Sequence, residues 1–352
     1  MNLVVENISD QSKLSWNSSL TPPEGWDEFI SVNNGSIYHG SLWAKTLEEG
    51  YGAKTLYVYA TQDGKIRAGI CGTLFYFLFF RIFFSSMPYG GVTGDFQSAA
   101  DLISHLEPQL KKYGVHQSRI TRISRHPFPQ LKGYRENVAF QHLLDLRGKT
   151  PEILWRDYRK NNRRDISKAE RSGIRAVEGR FPEDLKVYRA LYDETMRRNG
   201  SLRLYSADFY ESVQKYWLSK GKAAVLFAEY QGKKIAGILL IDSEDTSYLF
   251  GSVSTAEYLK LCPNDLLIHQ ALLRTLKTGR RYFDFMMSGS QDKALVQFKE
   301  KWGAVPLPFS TFEKDLSPLR ASMWRFLWKI STSKLGVLLV TRWENIKSWL
   351  GK

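Results

Sequence analysis

Cysteine is scarce in this chain: 352 residues carry two, Cys71 and Cys262. Two cysteines cannot build a disulfide framework, which fits a reducing compartment. No 18-residue apolar stretch occurs, so no membrane-spanning helix is expected. The nearest candidate, Leu74 to Phe84 (LFYFLFFRIFF), is too short, is broken by Arg81, and reads as one or two strands buried in a sheet. The opening MNLVVENISDQSKLSW lacks a basic region followed by an apolar stretch, so no secretory signal is expected and a cytoplasmic location is. The six histidines are scattered, and none joins a cysteine at metal-ligand spacing. His126-Pro127 and His269 read as packing residues, and neither a metal nor a bound cofactor is expected. Acidic residues are also in deficit, 36 against 50 Lys and Arg, for a net charge of +14. That balance favours an anionic partner (a nucleic acid, a phosphorylated substrate or a membrane surface) over a merely basic protein without one.

What is present is a short unit that occurs twice. Tyr57 to Ile70 reads YVYATQDGKIRAGI, and Val225 to Ile238 reads VLFAEYQGKKIAGI. Each is an apolar run, a turn, and a second apolar run ending Ala-Gly-Ile. Asp63-Gly64 and Gln231-Gly232 supply the positive φ that a tight hairpin needs. The pattern points to an ancestral domain copied once, with a chance match of a common strand-turn-strand pattern as the alternative. The length favours two domains, and 43% hydrophobic residues suffice for sizeable cores.

Ser41 to Gly50 reads as a helix, and Met87 to Asp95 (MPYGGVTGD) as a glycine-rich loop. A helix is expected over Ala99 to Tyr113, with strands near Arg119 to Ser124 and over Asn137 to Leu146. Thr150-Pro151-Glu152 opens a helix running to Arg171, with seven basic and three acidic residues between Arg156 and Arg171. Helices follow over Pro182 to Arg198 and Ala207 to Lys220. After the second hairpin come a strand at Thr246 to Ser252, a helix over Pro263 to Thr278 with Leu266, Leu267, Leu273 and Leu276 facing the core, and a strand at Tyr282 to Met286. The tail from Ser317 carries four tryptophans (Trp324, Trp328, Trp343 and Trp349) between basic residues, at a spacing that suits amphipathic helices. From 150 to 315 the element order is that of the acetyltransferase-like (GNAT) fold. From 40 to 145 it fits less cleanly. The expected architecture is α/β: GNAT-like domains with mixed sheets over 1–146 and 147–316, and an amphipathic helical tail over 317–352 that packs on the first domain or at a membrane surface.

On these residues the chain resembles the FemABX family, whose members attach amino acids to peptidoglycan precursors, and relatives found with surface-polysaccharide genes. Tyr38 to Trp43 resembles the family's early helix. Met87 to Asp95 resembles its Pro-x-Gly-Pro…Asp loop, with Gly91 where Pro is usual. Arg156 to Gly173 resembles the basic domain-joining helix. Asp193 to Tyr210 (DETMRRNGSLRLYSADFY) resembles its Thr-x-x-Arg-x-x-Gly…Arg…Tyr-Phe segment, and Gln297 to Ala304 (QFKEKWGA) its Phe-Lys-x-x-Phe/Trp-Gly signature. The resemblance implies an N-acyltransferase that takes an aminoacyl group from aminoacyl-tRNA and passes it to an amine on a nucleotide- or lipid-linked cell-envelope precursor.

Phe298 and Trp302, four apart, bury one face of their segment and set Lys299 at its edge. Lys299 reads either as a solvated lysine, like Lys301, or as a cation that balances the oxyanion of acyl transfer or positions a phosphate. The resemblance gives the matching lysine a catalytic role, and Phe298 reads as substrate-binding beside it. Arg198 and Arg203 flank a Gly-Ser turn and suit a pyrophosphate, against plain surface charge. The resemblance puts nucleotide-sugar phosphates there, and a further phosphate-binding lysine near Lys45. Asp95 could take a proton from the attacking amine, or could be a turn carboxylate. Tyr89, Tyr205, Tyr248 and Tyr258 are candidates for an acceptor groove, with packing the default, and Trp43 is a further substrate-binding candidate.

For the donor, coenzyme A users of this fold carry a glycine-rich loop whose backbone N–H groups cradle the pyrophosphate at a helix N-terminus. Here the stretch is Lys260-Leu261-Cys262-Pro263-Asn264-Asp265, without glycine and with one N–H removed by Pro263. By elimination and by the resemblance this favours aminoacyl-tRNA, and the basic helix reads either as a footprint for an RNA backbone or as an ordinary solvated helix face. The alternatives are an acyl-CoA-dependent N-acyltransferase acting on an amino sugar of a surface polysaccharide, and a non-catalytic module that holds RNA or membrane. The tail's tryptophans suggest contact with the inner membrane face.

Overall fold

A computed structural model describes residues 14–33, 35–77, 79–95, 98–123, 131–289, 292–333 and 336–337. His126-Pro127, Trp343 and Trp349 lie outside them. The chain divides into two units.

The first unit comprises Met1–Lys45, Ala53–Glu136 and Phe312–Ser317. Its elements are β1 (Ser15–Ser19), α1 (Trp26–Val32), α2 (Ser41–Tyr51, which from Thr46 onward counts with the second unit), β2 (Lys54–Gln62), β3 (Lys65–Phe77), β4 (Phe80–Phe84), β5 (Gly91–Gly94), α3 (Ala99–Lys112) and β6 (Gln117–Ile123). The sheet order is β1-β2-β3-β4-β6, with β5 paired to β3. Of the pairings among β1 to β6 in the described residues, that of β4 with β6 is parallel and the others are antiparallel. Alternate residues divide between the sheet's two faces. Leu56, Val58 and Ile70 meet Leu102, Ile103 and Leu106 of α3, while Tyr57 and Cys71 pack with Trp26, Phe29 and Ala44. The aromatic run Leu74 to Phe84 is two strands, an antiparallel hairpin of β3 and β4.

The second unit comprises Thr46–Gly52, Asn137–Thr311 and Pro318–Lys352. It holds β7 (Arg135–Asp145), α4 (Pro151–Asp157), α5 (Lys160–Arg171), β8 (Arg175–Glu178), α6 (Glu183–Asn199), α7 (Ala207–Tyr216), β9 (Ala223–Tyr230), β10 (Lys233–Asp242), β11 (Thr246–Ser254), α8 (Pro263–Lys277), β12 (Tyr282–Ser288), α9 (Lys293–Glu300), β13 (Val305–Asp315, whose last residues count with the first unit) and α10 (Pro318–Ser331). The order is β7-β12-β11-β10-β9-β8, and β11 and β12 run parallel. On one face α5 and α8 bury Ile166, Leu266, Leu267, Ala271 and Leu272 against Leu226, Ala228, Ile238 and Leu240. Leu273 and Leu276, expected at the core, sit at its rim. On the other face α6 and α7 bring Tyr188 against Phe227 and Tyr210.

The repeated hairpins are one structure built twice. Asp63 and Gly64 have φ of 52° and 72°, Gln231 and Gly232 of 51° and 75°, so both turns have positive φ at both central residues. Each second strand then bulges at the same place: Arg67 is skipped between Ile66 and Ala68, and Ile235 between Lys234 and Ala236. The glycine of each Ala-Gly-Ile lets an aromatic ring lie on the sheet. A Cβ on Gly69 would stand 2.7 Å from the ring of Trp26, and one on Gly237 would stand 3.2 Å from the rings of Phe227 and Tyr188. The pairing that follows also repeats, antiparallel then parallel, with α3 and α8 as the crossovers.

The helix expected from Pro151 to Arg171 is broken. Tyr158 leaves helical geometry with ψ 141°, and α5 starts afresh at Lys160. The cause is tertiary. The Tyr158 ring is buried edge-on to Trp302, its hydroxyl meets His269 Nδ1 at 3.1 Å, and the half-buried Arg163 donates to the carbonyls of Trp155, Arg156 and Tyr158. Those carbonyls are the open end of α4, so Arg163 is its cap.

Candidate active site

Two features of the second unit define the site. The first is a notch between parallel strands. β11 and β12 pair from Thr246 and Tyr282 as far as Tyr248 and Asp284. Beyond that level β11 follows β10, and β12 follows β7. Each strand carries an irregularity two residues past the parting. Phe250 is an extra residue in β11, because Leu239 faces Gly251 and Leu240 faces Leu249. Met286 takes a left-handed φ of 65°, rare for a residue with a side chain. Bulges of this kind recur beside active sites.

Lys299 fixes the β12 side of the notch. Only 5% exposed, it donates from Nζ to Met286 O at 3.0 Å and Met287 O at 2.8 Å. An ammonium has three donors, so one remains without a partner among the described residues. Burial lowers its pKa to about 8, against the pull of Asp284 and Asp292. Asp284, fully buried, accepts from Met286 N at 2.7 Å and from Gln141 Nε2. His142 is buried beside this group, its pKa lowered by burial and then by the Lys299 charge. Lys299 is therefore a buried ammonium with a structural grip and one donor in hand, not a solvated helix lysine.

The second feature is a cavity of about 390 Å³ on the β11 side, lined by Tyr188, Tyr192 and Met196 of α6, the loop residues Gly200 to Leu202, Leu204 and Tyr205, Tyr210 of α7, Phe250 to Val253 of β11, and Trp328 and Thr332. No Asp, Glu, Lys, Arg or His is among its lining residues. Burial pushes all four phenols above their ordinary range, so they stay neutral donors. The Tyr192 hydroxyl accepts from Leu204 N at 2.9 Å and Tyr205 N at 3.2 Å and so holds the lining loop. Tyr188 stands over Gly251, where a Cβ would meet its hydroxyl at 2.5 Å. Such a site is aromatic and able to seat an apolar or neutral group.

The expected site residues divide between the units. In the second, Arg198 Nη1 and Nη2 donate to the backbone oxygen and hydroxyl of Ser254, pinning the end of β11, and Arg203 pairs with Asp193 at 3.5 Å. Both engage protein groups in this structure. Phe298 is half-buried against the core, beneath the Lys301 ammonium. Tyr205 lines the cavity; Tyr248 is core, and Tyr258 packs on Tyr230.

In the first unit, Lys45 is exposed on α2. Asp95 is an exposed turn carboxylate that accepts from Ser98 Oγ at 2.8 Å, ahead of α3. Trp43 and Tyr89 are corrections to the expectation: at 1% and 0% exposure both are core residues, each set edge-on to Tyr38, with Trp43 Nε1 donating to Met87 O. The glycine-rich loop packs equally tightly. Gly90 N donates to Thr121 Oγ1 at 2.8 Å, and a Cβ on Gly90 would overlap Ser85 O at 1.3 Å. Sequence reasoning missed Tyr188, Tyr192, Tyr210, Phe250 and Trp328. Tyr188, Tyr192 and Met196 recur every four residues, a stripe that reads as ordinary core.

At the start of α8, Cys262 has φ 58° and Pro263 follows as the first helical residue. Asp265 sits in the first turn with Lys301 on its carboxylate. Asp165, Cys262 and Asp265 offer ligand atoms within 4.8 Å of one another, the spacing of metal ligands, but Asp265 already pairs with Lys301 and Asp165 with Arg164.

Residues 156–299 match the model of the acetyltransferase (GNAT) domain. No curated protein matches the sequence. Among solved structures, the chain resembles FemX at 14% identity and TM-score 0.62, covering 87% of this chain and 99% of that one. It resembles L-PGS from Bacillus licheniformis at 17% identity and TM-score 0.55, covering 86% and 95%. A tandem GNAT protein from the clavulanic acid biosynthesis pathway is similar at 11% identity and TM-score 0.56, covering 86% and 98%. The fold is two GNAT-like domains in tandem, as in FemX, with residues 156–299 matching an acetyltransferase (GNAT) domain.

Proposed function

We propose, for a chain whose residues 156–299 match an acetyltransferase (GNAT) domain and whose tandem fold is similar to that of FemX, that it is an N-acyltransferase which moves an aminoacyl group from aminoacyl-tRNA to an amine of a cell-envelope precursor, of peptidoglycan or surface-polysaccharide type. The observation that carries this reading is the notch beyond Tyr248 and Asp284, with an aromatic cavity on one strand and a buried ammonium on the other.

Acyl transfer needs donors aimed at a developing oxyanion in a place that excludes water. The third donor of the Lys299 ammonium is the group at hand among the described residues. The amine attacks the ester carbonyl, the carbonyl oxygen gains the charge, and the ribose oxygen leaves as the C–O bond breaks. The cavity holds no base that titrates near neutral pH. The proton of the attacking amine therefore leaves through water or onto the departing oxygen.

Two observations favour tRNA as donor. Pro263 and the Asp265 carboxylate occupy the turn where a coenzyme pyrophosphate would need N–H groups and no negative charge. Of the seven cations between Arg156 and Arg171, Arg156, Arg159, Lys160, Arg164, Lys168 and Arg171 remain exposed, a footprint for a phosphate backbone. The second reading, acyl-CoA transfer to an amino sugar, is favoured by the acetyltransferase model that residues 156–299 match.

Incubation with a radiolabelled aminoacyl-tRNA pool and, separately, with labelled acetyl-CoA decides between them, with a cell-envelope amine extract as acceptor. Label transferred from tRNA alone supports the proposal. Transfer from acetyl-CoA alone overturns the donor, and transfer from neither overturns the enzyme reading.

A further inference from the structure

The last described helix, α10, presents two different faces. On a helical wheel Ala321, Trp324, Trp328 and Thr332 share one side. Ala321 is fully buried, and Trp328 and Thr332 form part of the cavity wall. The opposite side carries Leu319, Met323, Phe326, Leu327 and Ile330, which are 74%, 50%, 65%, 46% and 46% exposed. Their spacing makes one continuous apolar stripe, larger than scattered surface residues require. Arg320 lies on one flank of the stripe and Lys329 on the other, both exposed, while the half-buried Arg325 falls on the inward side of the wheel and donates to Ser322 Oγ at 3.0 Å. No acidic residue occurs from Pro318 to Ser331. At 14 residues the helix is about 21 Å long, too short to span a bilayer, and no described helix is long and apolar enough to do so.

The geometry points to α10 as a dock for an anionic lipid surface, on which the helix lies flat with its Leu/Phe stripe in the headgroup region and its cations against lipid phosphates. The charge decides the occupant. A second copy of this chain would bring its own Arg320 and Lys329 to the interface and repel, whereas an anionic bilayer complements them. Because the inward face of the same helix walls the cavity, docking places that cavity about one helix diameter, roughly 10 Å, from the bilayer. An amine on a lipid-borne headgroup would be within reach. This last step rests on the proposed acyl transfer; the docking itself does not.

Flotation of the full chain with vesicles tests it, using phosphatidylcholine alone and an equal mixture with phosphatidylglycerol. The chain should float with the mixture and stay behind with phosphatidylcholine, and raised salt should weaken binding. Lys329→Ala should weaken partition about fivefold, one surface cation's worth. Leu319→Ser, Phe326→Ser and Ile330→Ser together should weaken it about tenfold or more, with an unchanged circular dichroism spectrum. Failure to float with the anionic mixture, or equal binding by the triple variant, overturns the proposal. So does a dimer in light scattering that the triple variant dissolves. Transfer to a soluble amine without vesicles is read in parallel. If it persists in the triple variant while flotation is lost, docking and chemistry are separate; if it is absent in the wild type, the acyltransferase reading fails and the docking result still stands.

Discussion

Asp284 and Lys299 hold the same residue from opposite sides. Asp284 Oδ1 accepts the Met286 N–H at 2.7 Å, and Lys299 Nζ donates to the Met286 carbonyl at 3.0 Å. Between them Met286 keeps a φ of 65°, a conformation that costs of order 1–3 kcal/mol unless its surroundings enforce it. The carboxylate thus sets the peptide that anchors the ammonium, at the level where β11 and β12 part. Strained backbone held by buried charge is characteristic of functional sites, and here it bounds the proposed acyl-transfer notch.

Replacing Lys299 by Met keeps most of the side-chain volume and removes the charge. Transfer should fall about 100-fold or more, the usual cost of losing one oxyanion donor. Two carbonyls would lose their partner, at about 1–3 kcal/mol each if they stay dry. Steady-state kinetics beside thermal unfolding checks both. Turnover within a few-fold of the wild type would remove Lys299 from the chemistry.

The pH dependence follows from burial. Lys299 has a pKa of about 8 in the folded chain against the ordinary lysine value of 10.5. If its charge serves turnover, kcat should fall as pH rises through about 8. Stability should move the other way. Between those two values the unfolded chain binds the proton that the folded one has released, so this group makes stability rise with pH. A loss of activity above pH 8 without a matching loss of thermal stability distinguishes deprotonation from unfolding. Asp284→Asn removes the negative charge that supports the ammonium, and should shift the alkaline limb to lower pH. An unmoved limb would make Asp284 purely structural.

Legibility in the sequence followed the range of the interactions. The hairpins were readable because Asp63-Gly64 and Gln231-Gly232 fix their turns locally, and the element order after the second hairpin followed. The break at Tyr158 was not, because it depends on Trp302 and His269, more than a hundred residues away. Lys299 was legible from Phe298 and Trp302, whose spacing set it at the edge of a buried face. Its Met286 and Met287 acceptors were not, since a positive φ at Met286 has no signature in a strand of apolar residues. Trp43 and Tyr89 failed for the opposite reason: an aromatic in a motif looks the same whether it meets substrate or packs on Tyr38.

Gly251 tests whether the cavity is the reaction chamber. A methyl there would stand 2.5 Å from the Tyr188 hydroxyl and force that ring out of place. Gly251→Ala should cost about 1–3 kcal/mol of stability and should raise the KM for the acceptor, because the cavity floor moves. Gly237→Ala is the control: it meets the same ring and Phe227 at 3.2 Å without lining the cavity. Equal kinetic effects from the two would mean that the acceptor binds elsewhere.

The basic helix separates into a structural cation and surface ones, and their variants should behave differently. Arg163→Ala strips the cap from three carbonyls at the end of α4 and should lower stability by about 1–2 kcal/mol. Its direct effect on RNA affinity should be small, because its guanidinium is turned inward. Lys160, Arg164 and Lys168 are exposed on α5. Their joint replacement by Ala should leave the melting temperature nearly unchanged, while weakening tRNA binding and flattening its salt dependence. Every RNA phosphate that the variant no longer neutralises reduces the slope of log K against log salt by about 0.7–0.9. Filter binding across a salt series reads this directly. An unchanged slope would show that the helix does not carry the RNA, and would return the donor question to acyl-CoA.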